Sequence, residues 1–178
     1  MKLLHTISLP KVGKKLISES NLFSYIDSDF KNWRLDATTT SQKQNLSVYE
    51  LTEDMTFEQI FPIPEKMFLT QGQILSFIEK HKDKLRTDGY ATFFLFRSKG
   101  KFFVAGVCVI GGGALRVSVG RLENGGLWDA QYRHRVVIPQ LDDSLSLEPS
   151  NTLPTELTIN GVKYIKSKKV ELYFNSLK

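Results

Sequence analysis

YATFFLFRSKGKFFVAGVCVIGGGALRVSVGRLENGGLWDAQYRHRVVI (residues 90–138) is the stretch that decides the fold. It holds four runs rich in β-branched and aromatic residues: YATFFLFR (90–97), KFFVAGVCVI (101–110), ALRVSVGRLE (114–123) and LWDAQYRHRVVI (127–138). The gaps SKG, GGG and NGG supply glycine for positive φ and are too short to hold a crossover. The reading is an antiparallel meander of four or more strands.

Working outward, the preceding segment carries the clearest helix signal. Thr70 and Gln73 have capping-box spacing, and Ile74, Phe77, Ile78, His81 and Leu85 recur at three- and four-residue steps. Lysines and Arg86 take the late positions, where they suit the helix dipole, and Asp88-Gly89 ends the element. One main helix over 71–86, packed on one face of the sheet, makes the fold class α+β. Upstream, LSVYEL (46–51) has strand chemistry. Thr56 and Gln59 form a second capping box, and Pro62 and Pro64 force FPIP out of a helix.

Alternation sorts the faces. In the fourth run Trp128, Ala130, Tyr132, His134, Val136 and Ile138 share a dry face, opposite Asp129, Gln131, Arg133 and Arg135. In the third, Leu115, Val117 and Val119 oppose Arg116, Ser118 and Gly120. The first two runs are apolar on both faces, so their second face needs a cover. The N-terminal 45 residues, the C-terminal hairpin or a second copy of the chain would supply it. Where such a cover stops, Arg116, Gln131, Arg133 and Arg135 would form the cationic wall of a groove for an anionic ligand, peptide or protein. The plainer alternative is the solvated half of an antiparallel sheet. His134, in apolar company, reads as a hydrogen-bonded core residue.

The totals suit one ordinary domain with an appendage: 178 residues, 41% hydrophobic and 24% charged. The expected division is 1–141 for the α+β domain and 142–178 for a proline-rich linker, a hairpin at Asn160-Gly161 and a basic tail. The net charge of +5 sits at the ends: +3 over 1–34 and +4 over 160–178, against −2 between them. Basic ends would suit a nucleic-acid or ribosome-associated protein, or simply solubility. The lone Cys108 fits a reducing compartment. The start MKLLHTISLP lacks signal-peptide structure and no run has the length of a membrane span, so the expected setting is the cytoplasm.

Catalytic signatures are sparse. His5, His81 and His134 have no zinc spacing, and no cofactor motif is present; GGG (111–113) lies between strands and is a turn. The one enzyme candidate is Asp27 with Asp29. This acid pair would serve a metal-dependent phosphoester hydrolase, or would equally serve as turn and cap residues. The expected function is therefore a non-enzymatic binding or interaction module.

At DSDFKNW (27–33), FLTQGQI (68–74), GYATFFLF (89–96), KFFVA (101–105) and YRHRVVIPQL (132–141) the chain resembles a group of short uncharacterised bacterial proteins. The likeness covers roughly residues 25–141. It implies a bacterial, cytoplasmic protein and carries no catalytic role onto these positions.

Overall fold

The computed structural model describes residues 1–36 and 40–140, together with the backbone of 156–159 and 162–165. By internal packing the chain divides into two units, Met1–Leu141 and Asp142–Lys178. In the second unit, strands Glu156–Ile159 and Val162–Ile165 pair antiparallel on either side of Asn160-Gly161. The expected linker and basic tail lie outside the described residues.

The first unit is built on a seven-stranded mixed sheet. Its strands are β1 (Lys2–Leu9), β2 (Tyr25–Ile26), β3 (Gln44–Glu50), β4 (Ala91–Ser98), β5 (Lys101–Val109), β6 (Leu115–Arg121) and β7 (Arg135–Pro139). Their spatial order is β1-β3-β7-β4-β5-β6-β2. The β4–β5–β6 meander runs as its short turns require, with Phe94 opposite Ala105 and Val107 opposite Val117. The fourth run departs from expectation. Only Arg135–Pro139 is strand, and it lies between β3 and β4, parallel to β4, rather than beside β6. Residues 122–134 form a connection long enough for the crossover that a parallel neighbour demands. Within it Trp128 bridges Met55, Asp129 caps a 3-10 turn at Ala130–Tyr132, and Arg133 takes a left-handed conformation at φ 50°. The sheet is therefore mixed, not a pure meander.

Helices are short: α1 (Asp29–Asn32), α2 (Phe57–Ile60), α3 (Pro64–Met67) and α4 (Gln71–Lys80). Both capping boxes form, Thr56 with Gln59 and Thr70 with Gln73. α4 stops at Lys80 and gives way to a 3-10 turn at Lys82–Lys84, short of the predicted Arg86. It is also drier than a one-sided stripe. Gln71, Gly72, Gln73, Leu75 and Ser76 are buried as well, because N-terminal segments pack on the helix's back. Gln71 accepts from the Ile17 N–H (2.9 Å) and donates to the Asp36 carbonyl (2.9 Å), tying two of those segments to the helix.

A Cβ on Gly72 would stand 2.5 Å from the Gly13 carbonyl oxygen and 3.2 Å from Val12. Gly72 is the second residue of α4, and alanine in a helix normally gains up to about 1 kcal/mol over glycine. Here overpacking reverses the sign, and Gly72→Ala is expected to lose about 1–3 kcal/mol in urea unfolding.

Two apolar clusters lie on opposite faces. On one, Phe94, Phe96, Phe103, Ala105, Val107, Val117 and Val137 meet α4 and the segment from Ile17 to Leu35. On the other, Phe93, Leu95, Val104, Val136 and Ile138 meet residues of 51–68, with Trp128. Within the N-terminal 45 residues, expected on the second face, Ile17, Phe23, Phe30 and Leu35 thus join the cluster on the face of α4, while Lys2–Leu9 enters the sheet itself. The second face is taken by α2 and α3, whose Phe57 meets Phe93 edge-on at 5.2 Å. Among the described residues no helix is long and apolar enough to cross a membrane.

Candidate functional site

The four residues expected to form one cationic wall do not converge. Arg135 lies on the α4 face, and its guanidinium donates to the carbonyls of Lys84 (2.8 Å) and Leu85 (2.9 Å). Alternation read it as wet, but the turn closing α4 covers this face at β7 and burial disfavours its charge. Gln131 donates through its side chain to the Asp129 carboxylate, and Arg133 is 69% exposed with Glu50 at 4.0 Å. Arg116 belongs to β6, three strands and roughly 14 Å of sheet from β7. It lies over the Tyr25 ring at 4.7 Å, beside a shallow notch of about 190 Å³ reaching Gly106, Cys108 and Ser118. Of the four expected residues, that notch holds Arg116 alone. Burial pushes the Cys108 thiol up, away from thiolate chemistry.

His134 is structural. It is 5% exposed, its Nδ1 accepts from the Ala91 N–H (3.2 Å), and Phe93, Trp128, Tyr90 and Tyr132 surround it. Burial, followed by the nearby Arg86 charge, holds the imidazole below its ordinary pKa, and the bond to Nδ1 requires that nitrogen unprotonated. The unfolded chain therefore binds the proton more readily than the native one. The stability that His134 contributes is complete above the ordinary histidine pKa and is lost as pH falls below it. The urea midpoint is expected to hold between about pH 8 and 7 and to drop below about pH 6.5. His134→Gln, which keeps an acceptor for Ala91, should flatten that drop.

The acid pair separates in role. Asp27 accepts from the Asp29 N–H (3.0 Å) and, through its second oxygen, from the Val119 N–H (3.5 Å), starting α1 and fastening it to β6. Asp29 opens α1 and accepts from Asn32. Among the described residues no group of three acids, histidines or cysteines is placed to hold a metal ion.

A roomier cleft than this notch lies elsewhere, at the far end of β5 and β6. It encloses about 720 Å³ between α1 and the β6 edge, with Asp29, Trp33, Phe102, Phe103 and Arg121 in its lining. The local sequence builds it. α1 is only about one turn long, so Trp33 follows closely on the Asp27 fastening and packs on Phe103 at 5.7 Å. Arg121, the last residue of β6, lays its guanidinium 5.4 Å from the Trp33 ring centre. The β4–β5 hairpin turns through Lys99 (φ 49°) and Gly100 (φ 76°), the paired left-handed residues of a tight two-residue loop. Ser98 anchors it by donating to the Asp36 carboxylate, while the Asp36 N–H donates back to Ser98 Oγ at 3.1 Å.

An adjoining pocket of about 230 Å³ shares Trp33, Lys101, Phe103 and Arg121 with the cleft and adds Lys99. Among the described residues its lining carries three cations on an aromatic floor and no acid, the Asp36 carboxylate standing behind it on Ser98. Such an arrangement suits an anionic group bound by charge-assisted hydrogen bonds, with an apolar neighbour resting on the rings. Sequence reading missed it because its members come from three separated segments. SKG read only as a turn, and DSDFKNW lay in a segment with no period. The usable signal was two lysines bracketing a hairpin glycine.

Compared with family models, with curated proteins and with solved structures, the chain gives no match.

Proposed function

We propose that the protein is a binding module whose pocket of Lys99, Lys101 and Arg121, floored by Trp33 and Phe103, takes an anionic group. One observation carries this reading: three cations from a tight hairpin and a strand end line one pocket with two aromatic rings, and no acid is among the described residues of that lining. The elements that hold them are strands and a capped turn, which suits recognition by a preformed site. A cytoplasmic, bacterial setting belongs to the same proposal and is supported by the single partly buried cysteine and the resemblance noted above.

The chain has two tryptophans, and Trp128→Phe leaves Trp33 as a reporter inside the cleft. That replacement is conservative, since the Trp128 Nε1 has no partner among the described residues. Phenyl phosphate is expected to quench Trp33 saturably. Lys101→Glu with Arg121→Glu should weaken this by roughly tenfold or more, because a hydrogen bond to a charged group contributes about 1.5–3 kcal/mol. Both side chains are exposed, so the melting temperature should barely move. Undiminished quenching in the double variant would remove the pocket from the account.

A further inference from the structure

Resting on that reading of the pocket, we infer that its anion arrives on an extended peptide, which adds as a strand to the open edge of β6. β2 pairs with β6 for two residues only, Tyr25 with Arg116 and Ile26 with Val117, before the chain turns into α1. The Leu122 N–H donates to the Phe102 carbonyl (3.2 Å), so the even-numbered residues of β6 bond to β5. Alternation turns the odd-numbered ones to the other edge. There the Leu115 and Val117 carbonyls accept from the Ser24 N–H (2.8 Å) and the Asp27 N–H (2.9 Å). Next along that edge, the Val119 N–H is met, among the described residues, only by the Asp27 side chain at 3.5 Å, long for such a bond. Beyond it, the Val119 carbonyl and the Arg121 N–H have no partner among the described residues.

Val119 and Arg121 are walls of the 720 Å³ cleft, so this unfilled edge faces room for a strand. Charge selects the occupant. The cleft lining balances Lys101 and Arg121 against Asp29 and Glu123, whereas the described lining of the adjoining pocket has Lys99, Lys101 and Arg121 as its charged residues. A nucleic acid, with a phosphate at every unit, would set charges against Asp29 and Glu123. A peptide needs negative charge at one end alone. Its main chain would continue the pairing that β2 abandons, a neutral side chain would rest against Trp33, and an acidic one beside Arg121 would enter the pocket. Strand addition of this kind draws affinity from main-chain hydrogen bonds and specificity from alternate side chains.

The test uses the full chain carrying Trp128→Phe, with acetyl-Val-Thr-Val-Glu-Glu-amide as probe. Two isomers N-methylated at alternate residues, phenyl phosphate and a single-stranded oligothymidylate complete the set. The expected result is saturable quenching of Trp33 by the peptide and a downfield shift of the Arg121 amide proton. The isomer whose methyl groups face β6 should bind about tenfold more weakly or worse, and the other like the parent. Equal binding of the peptide and both isomers, with phenyl phosphate still competing, overturns strand addition and leaves the anion pocket standing. Quenching by oligothymidylate and not by the peptide overturns it in favour of a nucleic acid. Silence from peptide and phenyl phosphate alike overturns both readings.

Discussion

Arg135→Glu is expected to lower stability by about 3 kcal/mol or more, the cost of placing an unpaired charge in a half-buried site. The guanidinium now donates to the carbonyls of Lys84 and Leu85, which close the end of α4. A carboxylate there would face two carbonyl oxygens and leave both unpaired. Arg133→Gln, two residues earlier, should fall within about 0.5 kcal/mol of wild type, because that side chain is exposed and its ion partner is distant. Urea unfolding of the two variants side by side checks the contrast. Equal, small effects would return Arg135 to the surface where alternation first set it.

The second large effect is expected of Phe93→Ala, at about 4 kcal/mol, within the range for removing a buried aromatic side chain. Phe93 is 1% exposed and joins Phe57, Trp128 and His134 into one packed group. The cavity left behind would be walled by rings that cannot collapse independently, since the same rings hold the crossover of 122–134 against α2. Trp33 belongs to the cluster on the opposite face, so phenyl phosphate should still quench it in the folded fraction. Loss of that response in a variant that still unfolds cooperatively would show the two faces to be coupled. A cost below about 1 kcal/mol would mean the second face is not a true core.

How far the sequence could be read follows from which interactions are local. Both capping boxes and the β4–β5–β6 turns were legible, because the residues that decide them lie within a few positions of one another. β7 was not. NGG at 124–126 has the composition of a hairpin turn, and only the bridge from Trp128 to Met55 and the left-handed Arg133 reveal a crossover. Alternation told correctly that His134 and Val136 share a face, and that Arg135 takes the other. Reading that other face as wet required knowing that the end of α4 lies over β7, which no local pattern states. The need for a cover on the second face was legible from Phe93 and Leu95, but the choice of 51–68 over the N-terminal segment was not. Both stretches hold enough apolar residues, and tertiary packing decides between them. The cleft was the least legible feature, since Trp33, Lys101 and Arg121 are brought together only by the stopping of β2 after Ile26 and the turn into α1.

The most direct test of the anion pocket is a backbone-amide nuclear magnetic resonance titration of the full chain with phenyl phosphate. The account predicts saturable shifts grouped at Lys99, Lys101 and Arg121 and at the Trp33 indole, all of them lost in the Lys101→Glu, Arg121→Glu variant. Shifts grouped at Arg116 or Arg133, or none that saturate, would contradict it.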